Sequence, residues 1–419
     1  MIFHSGEDPF EMTQINAGWG AGPGTSYETL AESFRPAFRQ IAAGAVEREV
    51  GRRLPHDEIA LLKAARFGAL RVPREQGGFG ASVPELFALL IELSAADSNV
   101  TQSLRAHFGF AEEVVSARPS AWQANWFERL VSGDTVGNAW TEVGDAKQLA
   151  FSTRLARDGE RWKLNGTKYY TTGSLFAEWI DVTATGEADK PVGVLVRTDA
   201  PGVEIIDDWD GFGQIGTASG TTVFTDVAIE PAQLVADEGR VKYGQAFFQL
   251  VHLATLAGIG RAAAIELAEA VAARTRHYSN GAGARSSEDP QVLQVVGRIR
   301  ASAYAAGTIV LKAAEAVQRA FERRIAGDEE GEAAAAAIAD IEVAQAQVIV
   351  SSLVLDATSS VFDALGASAT RKGVALDRFW RNARTLSSHN PRIYKDRIIG
   401  DFAVNGAPHP AQWRIGKVA

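Results

Sequence analysis

The segment Arg161-Trp162-Lys163-Leu164-Asn165-Gly166-Thr167-Lys168 decides the fold class, because it is the clearest strand signal in the chain. It runs as a strand into the Asn165-Gly166 pair, which predicts a hairpin turn. Further short strands are predicted at 192–196, 203–206 and 221–224. No pattern of helical length separates them, so the sequence predicts a compact antiparallel β block over residues 134–236.

Helical patterns flank this block on both sides. Before it, apolar residues recur at helical spacing over 26–67 and 99–131, and Ser82-Val83-Pro84-Glu85 predicts a helix start between them. After it, long stretches rich in Ala, Val and Leu predict further helices. These are expected at roughly 241–277, 290–323, 333–364, 375–388 and 391–402.

The predicted fold class is therefore α+β. We expect a loose N-terminal arm over 1–25, an N-terminal helical domain over 26–133, and a central antiparallel β-barrel domain over 134–236. A C-terminal four-helix-bundle domain is expected over 237–419.

Composition excludes several classes of function. The 419 residues include no cysteine, which excludes disulfides, thiolate metal sites and a cysteine nucleophile. A net charge of −9 argues against a non-specific nucleic-acid binder, which needs a basic surface to meet phosphate. The uncharged stretch 243–260 contains glutamines and a histidine, so it predicts a core helix and no membrane span. The polar N-terminus does not resemble a secretion signal, and we expect a soluble cytoplasmic protein.

Two apparent motifs do not predict a site. Gly211-Phe212-Gly213-Gln214-Ile215-Gly216 fits the dinucleotide pattern GxGxxG, but a strand pattern follows it where that motif needs a helix. The histidines show no i, i+4 or HxH spacing, so no metal site is predicted. They stand at positions 4, 56, 107, 252, 277, 389 and 409.

The segment 377–391 carries the strongest chemical signal. At 3.6 residues per turn, Arg381, Arg384 and Ser388 share a helix face, and His389 falls at the helix end before Pro391. A histidine there could act as a general acid or donate a hydrogen bond to a reactive oxygen. The pattern alone favours the structural interpretation, a capping histidine with arginines in structural ion pairs.

From about residue 30 to 405 the chain resembles the acyl-CoA dehydrogenase superfamily. The resemblance rests on the order of the domains and on four stretches: Val72-Pro73-Arg74-Glu75-Gln76-Gly77-Gly78, Gly137-Asn138-Ala139-Trp140-Thr141-Glu142, Leu164-Asn165-Gly166-Thr167-Lys168 and Phe224-Thr225-Asp226-Val227. Two features depart from the dehydrogenases. Asn390 stands where they have the catalytic Glu, and 276–281 lacks their FAD-binding Arg-x-x-Phe-Gly.

The chain is more similar to the monooxygenase branch, which includes enzymes acting on dibenzothiophene and alkanesulfinates. The similarity lies in 377–382, in Ser387-Ser388-His389-Asn390-Pro391 and in Tyr394-Lys395. This resemblance implies that an NAD(P)H:flavin reductase supplies FMNH2, which reacts with O2 to form a C4a-hydroperoxide. That species would oxygenate a small heteroaromatic or organosulfur substrate.

The resemblance also implies roles for individual residues. Those expected to contact the flavin are Asn138, Trp140, Thr141, Tyr170, Thr171, Thr172 and His389, with Arg276 and Arg371 at the FMN phosphate. Those expected in catalysis are His389, Thr172 and Asn138, and those expected in the substrate pocket are His107, Trp209 and Leu386. Leu386 replaces a second histidine of the sulfur-oxidising relatives. A homotetramer is implied, in which Arg276 approaches a neighbour's flavin.

Three alternatives stay open from the sequence. One is an acyl-CoA dehydrogenase-like FAD protein with a displaced base. Another is an N-oxygenase of amines or indoles on the same fold. The third is a non-catalytic binding protein without flavin affinity.

Overall fold

In the computed structural model, which describes residues 17–142, 151–235 and 240–410, helices precede and follow one mixed sheet. The N-terminal helices are α1 (Tyr27–Glu32), α2 (Arg35–Ala43), α3 (Ala45–Gly51), α4 (His56–Ala64), α5 (Val83–Ala96), α6 (Ser98–Ser103), α7 (Arg105–Val115) and α8 (Ala121–Ser132). The C-terminal helices are α9 (Gly244–Ala273), α10 (Pro290–Ile325), α11 (Glu329–Leu365), α12 (Asp377–His389) and α13 (Lys395–Asn405). The predicted fold class is confirmed.

Helix α5 joins the N-terminal domain to the bundle. The hydroxyl of Ser82 accepts from the Glu85 backbone N–H, and the Glu85 carboxylate accepts from the Ser82 N–H, which forms a capping box at the predicted helix start. Nearly every side chain of α5 is buried, and the helix packs against α9 within one continuous core.

The sheet positions the central part of the molecule. Its strands are β1 (Val136–Ala139), β2 (Arg154–Asp158), β3 (Arg161–Lys168), β4 (Trp179–Thr185), β5 (Pro191–Arg197), β6 (Val203–Ile206), β7 (Thr221–Ile229) and β8 (Leu234–Val235). They lie in the order β6-β7-β3-β2-β4-β5-β8, and β1 pairs with β4. Because β1 runs parallel to β4, the sheet is mixed, and the expectation of a purely antiparallel block was wrong.

The Asn165-Gly166 pair forms a bulge inside β3 and no hairpin turn. The pairing of β3 with β7 shifts between Leu164 and Gly166, and Asn165 Oδ1 accepts from the backbone N–H of Asp226 at 2.8 Å. The actual hairpin lies one strand earlier, where Asp158 pairs with Arg161 across a two-residue turn. A contact 61 residues away in sequence therefore overrode the local turn preference.

The described part of the predicted loose arm packs on the bundle. The Trp19 ring lies 4.2 Å from the guanidinium of Arg300 and 5.1 Å from that of Arg261. Within the expected arm, Trp19 therefore packs on the bundle through cation–π contacts and core packing. Residues 1–16 lie outside the described residues.

Helices α9 and α11 are long and apolar enough to cross a membrane by length and composition alone. In the most apolar window of α9, 89% of the residues are buried inside the protein, against 50% for α11. Core helices of soluble proteins pass the same test, so these two helices are weak evidence for a membrane span.

The GxGxxG segment is a loop between β6 and β7, as expected, with no helix after it. Its backbone is tied to both helical domains. The N–H of Gln214 donates to Asn382 Oδ1 on α12 (2.5 Å), and the N–H of Gly216 donates to Asn99 Oδ1 on α6 (3.1 Å). This loop connects the three parts of the chain beside the candidate site.

Candidate active site

The end of β1 and the segment after β3 meet at the first wall of the site. Asn138 is buried, and its Nδ2 donates to the carbonyl of Tyr170 at 3.1 Å. The carbonyl of Thr141 accepts from the Tyr169 N–H at 2.9 Å. Tyr170 adopts a positive φ of 59°, uncommon for a residue with a side chain, and its ring is 46% exposed. The structure therefore brings Asn138, Thr141 and Tyr170 together, and their contact with a flavin stays a prediction.

Thr171 has a structural role. Its hydroxyl donates to the carbonyl of Gly220 at 3.0 Å and accepts from the Thr222 hydroxyl at 2.9 Å, and the residue is fully buried. The hydroxyl therefore both donates and accepts inside the protein, and the contact of Thr171 with a flavin stays a prediction.

Thr172 begins a chain of hydroxyl groups with a fixed direction. Thr217 Oγ1 donates to the carbonyl of Gln214 at 2.8 Å, and Ser219 Oγ lies 2.7 Å from both Thr217 Oγ1 and Thr172 Oγ1. Each hydroxyl carries one proton, so Ser219 must donate to Thr217, and Thr172 must donate to Ser219. The oxygen of Thr172 is left as a pure acceptor on the half-buried side.

Trp140 is held at both ends of its indole. Its Nε1 donates to Asp181 Oδ2 at 3.0 Å, and its ring meets Phe248 of α9 edge-on at 5.2 Å. Burial raises the pKa of Asp181, opposed by the charge of Arg240 and by the indole N–H. Trp140 therefore has one fixed orientation between the sheet and α9.

His389 is the last residue of α12, and a hydrogen bond with Asn390 determines which ring nitrogen carries the proton. The Asn390 Nδ2 donates to Gln249 Oε1 at 2.5 Å, so its Oδ1 is the atom facing His389 Nδ1, 3.2 Å away. Nδ1 must therefore carry the proton, and Nε2 is an acceptor. His389 is an exposed residue. Desolvation of its ring by the surrounding protein, and then the charge of Arg105, nevertheless lower the His389 pKa to about 4. The imidazole is neutral at pH 7.

His252 of α9 is a site residue that the sequence reasoning assigned only to a core helix. Its ring centroid lies 4.3 Å from that of His389, and the residue is 1% exposed. Among the described residues, neither of its ring nitrogens has a hydrogen-bond partner. Burial, then His389 and Arg105, lower its pKa well below the usual value. The available signal was the pair Gln249 and His252, which share one face of an otherwise apolar helix.

The three substrate-pocket predictions have different outcomes. His107 is fully buried, its Nε2 lies 2.9 Å from the Gly68 carbonyl, and its Nδ1 accepts from the Val136 N–H at 3.3 Å. Both ring nitrogens are used by backbone, so we correct its assignment to the core. Leu386 is buried in the main core, one helical turn before His389. Trp209 lies against the Tyr170 ring at 6.0 Å.

Arg276 and Arg371 do not reach this wall within one chain. Arg276 follows the C-terminal end of α9, and the 22 residues of helix from His252 to Ala273 span roughly 30 Å at 1.5 Å per residue. Arg371 follows α11, and Arg274 Nη1 donates to the Leu365 carbonyl at 2.6 Å, which joins the two segments. Both arginines are exposed on the same end of the bundle.

No group of three or more His, Cys, Asp or Glu side chains suited to a metal ion occurs in the described ranges 17–142, 151–235 and 240–410. The expected absence of a metal site stays a prediction.

Comparisons with known proteins agree with this architecture. Residues 138–227 match the acyl-CoA dehydrogenase middle domain, and residues 250–391 match the acyl-CoA dehydrogenase C-terminal domain. The chain is 28% identical over 377 residues to the probable FMNH2-dependent monooxygenase SfnC of Pseudomonas putida. That alignment covers 87% of this chain and 92% of SfnC. It is 26% identical to the dibenzothiophene monooxygenase of Rhodococcus erythropolis, with 90% and 92% covered. The crystal structure of FMN-bound TdsC from Paenibacillus sp. A11-2 superposes with a TM-score of 0.83 at 25% identity, covering 92% and 99% of the two chains.

The chain belongs to the acyl-CoA dehydrogenase superfamily. Within it, the similarity is to the flavin-dependent monooxygenases, and the branch expected from the sequence is confirmed.

Proposed function

We propose that this protein is the oxygenase component of an FMNH2-dependent, two-component monooxygenase acting on a small organosulfur or heteroaromatic compound. The main support for this proposal is the donor-to-acceptor direction of the hydroxyl hydrogen bonds that begin at Thr172. The resemblance implies that Thr172 lies near flavin N5. Reduced flavin presents an N–H at N5, whereas oxidised flavin presents a lone pair there. A pure acceptor at Thr172 therefore fits the reduced cofactor.

Reduced FMN, when bound, supplies the electrons that activate O2, so that one oxygen atom reaches the substrate and the other leaves as water. The protein supplies orientation. Asn138, Thr141 and Tyr170 form the wall assigned to the ring, and Trp140 closes it on the α9 side. Its fixed indole, tied to Asp181, excludes water from that face.

We assign to His389 the role of accepting or holding a proton near the reacting oxygen. Because its imidazole is neutral and Nδ1 is bound to Asn390, the free Nε2 can accept a proton or hold an O–H group. This changes the sequence expectation, which included His389 as a proton donor. A histidine with a pKa of about 4 carries too little of the cationic form at pH 7 to donate.

The dehydrogenase alternative lacks a base at the expected position. Asn390 uses its amide to hold His389 and Gln249, and a carboxamide cannot remove a proton from carbon. N-oxygenation on the same site would use the same residues, so it stays an alternative. A non-catalytic binding protein predicts no flavin affinity.

Assembly as a homotetramer in the cytoplasm is part of the proposal. Arg276 is roughly 30 Å from His252 along α9, so it can serve a flavin phosphate only on another subunit. Exposed apolar side chains on α10 and α11, including Tyr304, Ile338 and Ile349, provide faces for such packing. An NAD(P)H:flavin reductase is the partner required to supply FMNH2.

The test combines binding and reaction. Anaerobic protein with photoreduced FMN is mixed with oxygenated buffer in a stopped-flow spectrometer. A transient absorbance distinct from both reduced and oxidised flavin, with decay that candidate substrates accelerate, supports the proposal. Absence of any FMNH2 binding contradicts it. In parallel, Arg276→Met should weaken binding of FMN but not of riboflavin, which lacks the phosphate.

A further inference from the structure

Behind His389, the helical bundle contains buried polar atoms that bind no other group in the part of the chain that the structure describes. They are both ring nitrogens of His252 on α9, and Gln347 Oε1 and Ser351 Oγ on α11. These three residues are each at most 2% exposed, so bulk solvent does not reach the atoms. Native proteins rarely leave such groups unmet in a core, because each lost hydrogen bond is costly.

Ser351 differs from other hydroxyl residues of the same two helices. Thr255 on α9 donates to the carbonyl four residues earlier at 2.8 Å, and Thr358 and Ser359 on α11 do the same at 2.8 and 2.9 Å. The hydroxyl of Ser351 makes no such bond to its own helix. It therefore stays available to a group that lies between the helices.

Contacts at both ends of one stripe place Ser351 against α9. Gln347, Ser351 and Val354 lie on one face of α11, at spacings of four and three residues. At one end, a Cβ placed on Gly260 of α9 would lie 3.3 Å from Val354 Cγ2. At the other end, Gln347 Nε2 donates to the carbonyl of Asn390 at 3.1 Å, and the Asn390 side chain binds α9. Ser351 lies between these two contacts.

His252 lies at the same level of the bundle. It follows Gln249, which binds Asn390, by three residues on α9, and its ring centroid is 4.3 Å from that of His389. Since α9 and α11 run in the same direction between the two contacts, the rise of 1.5 Å per residue places His252 within about one turn of Ser351. The unmet atoms of the two helices therefore border one small region.

A single water molecule matches the hydrogen-bonding capacity of this region. Burial lowers the pKa of His252 well below its usual value, so the ring is neutral, with one N–H donor and one acceptor. A water can accept from His252 and from the Ser351 hydroxyl and donate to Gln347 Oε1. These are the three hydrogen bonds typical of a buried water. An anion does not fit, because Gln347 Oε1 is an acceptor.

We propose that His252, Gln347 and Ser351 bind one water molecule between α9 and α11. This water positions His389 through two side chains. Because the water already accepts two hydrogen bonds, it can only donate to Gln347, which turns Oε1 towards it and leaves Nε2 for the Asn390 carbonyl. Asn390 Oδ1 in turn accepts the Nδ1 proton of His389. The inference rests on the proposed function only where it gives His389 a part in the reaction.

A high-resolution crystal structure of the full chain without flavin tests the site directly. We expect one ordered water within roughly 2.7–3.2 Å of a His252 ring nitrogen, Ser351 Oγ and Gln347 Oε1. His252→Phe should lose this water, because phenylalanine has no polar side-chain atom and exceeds histidine by about the volume of one water, roughly 30 Å³. Direct hydrogen bonds among the three side chains with no water between them would overturn the proposal.

The sign of one change in melting temperature separates a hydrated hydroxyl from an unmet one. If Ser351 binds the water, Ser351→Ala lowers the melting temperature, because a buried hydrogen bond is lost. If the hydroxyl is unmet, the same substitution raises the melting temperature, because an unsatisfied polar group leaves the core, and the proposal fails. Ser359→Ala is the matched control. Its hydroxyl bonds its own exposed stretch of α11, so the change should be smaller.

The protonated nitrogen of His389 reports whether the water acts as a positioning group. In protein labelled with 15N-histidine at pH 8, wild-type His389 should carry its proton on Nδ1. Without the water the Gln347 amide is free to turn. Ser351→Ala and His252→Phe should therefore lower the ratio of the Nδ1–H to the Nε2–H form by roughly 2- to 12-fold, the value of one neutral hydrogen bond. Ser359→Ala should leave the ratio unchanged. An unchanged ratio in both site variants would overturn the positioning role.

These measurements use no flavin, oxygen or substrate, so the two proposals fail in different ways. If only the proposed function fails, the ordered water, the melting temperatures and the His389 tautomer keep their expected values, and FMNH2 yields no oxygenated product. If only the water site fails, oxygenation persists in the wild type, while the ordered water is missing or Ser351→Ala raises the melting temperature.

Discussion

Thr172→Val should weaken the binding of reduced FMN and leave oxidised FMN almost unchanged. The fixed donor order from Thr172 through Ser219 and Thr217 to the Gln214 carbonyl makes the Thr172 oxygen an acceptor. Valine keeps the shape of threonine but has no oxygen. Only the cofactor form with an N–H at N5 then loses a partner.

The size of the effect follows from one hydrogen bond. A neutral hydrogen bond contributes about 0.5–1.5 kcal/mol, which corresponds to roughly 2- to 12-fold weaker FMNH2 binding. For a two-electron couple, the same free energy lowers the reduction potential of bound FMN by about 10–30 mV. The potential falls because the reduced form loses the stabilisation.

Ser219→Ala is the matched variant. Without the Ser219 acceptor, the Thr172 proton is free to point to the flavin, so oxidised FMN should bind more tightly while FMNH2 changes little. Anaerobic fluorescence titration of both redox states against the three proteins measures all six constants. Equal weakening of both redox states in Thr172→Val, or tighter FMNH2 in Ser219→Ala, would refute the assigned direction of the chain.

Three further outcomes are expected. With a pKa of about 4 for His389, coupling of flavin oxidation to product should stay constant from pH 9 to pH 6, and His389→Asn should lower it throughout; a midpoint near pH 7 in the wild type would contradict this. The pKa of His107 in the folded protein is about 4, below its value of about 6.5 in the unfolded chain. The free energy of unfolding is therefore fully retained above pH 6.5 and falls as the pH drops, by roughly 3 kcal/mol at pH 4. Urea unfolding of His107→Gln should show a shallower dependence on pH. Glu112→Gln removes the buried partner of an arginine and should cost about 3 kcal/mol in urea unfolding, against less than about 1 kcal/mol for the exposed Glu329→Gln; similar costs for both would show that burial does not decide the effect.

The long helices could be predicted because each carries its pattern over many turns. The expected helix at 290–323 is observed as Pro290–Ile325, and the one at 375–388 as Asp377–His389. Packing of a continuous apolar face decides such elements, and that face is visible in the sequence. The strands expected at 192–196, 203–206 and 221–224 are also observed, whereas β1, β2, β4 and β8 were not predicted individually.

The missed features depend on groups far apart in the chain. Asn165-Gly166 became a bulge because Asp226 binds the asparagine. His252 carries the same helical pattern whether it packs in a core or faces a ligand, and only the unmet ring nitrogens distinguish the two.

The loop that resembles a dinucleotide motif also limits how the protein can move. Its backbone is bound to α6 by Asn99 and to α12 by Asn382, so the sheet cannot rotate away from either helical domain without breaking buried hydrogen bonds. The exchange of oxidised for reduced cofactor in each turnover therefore proceeds without a hinge motion between the sheet and the helical domains. We expect the exposed ring of Tyr170, at the rim of the wall, to swing on its own side-chain torsions and to set the rate of cofactor release.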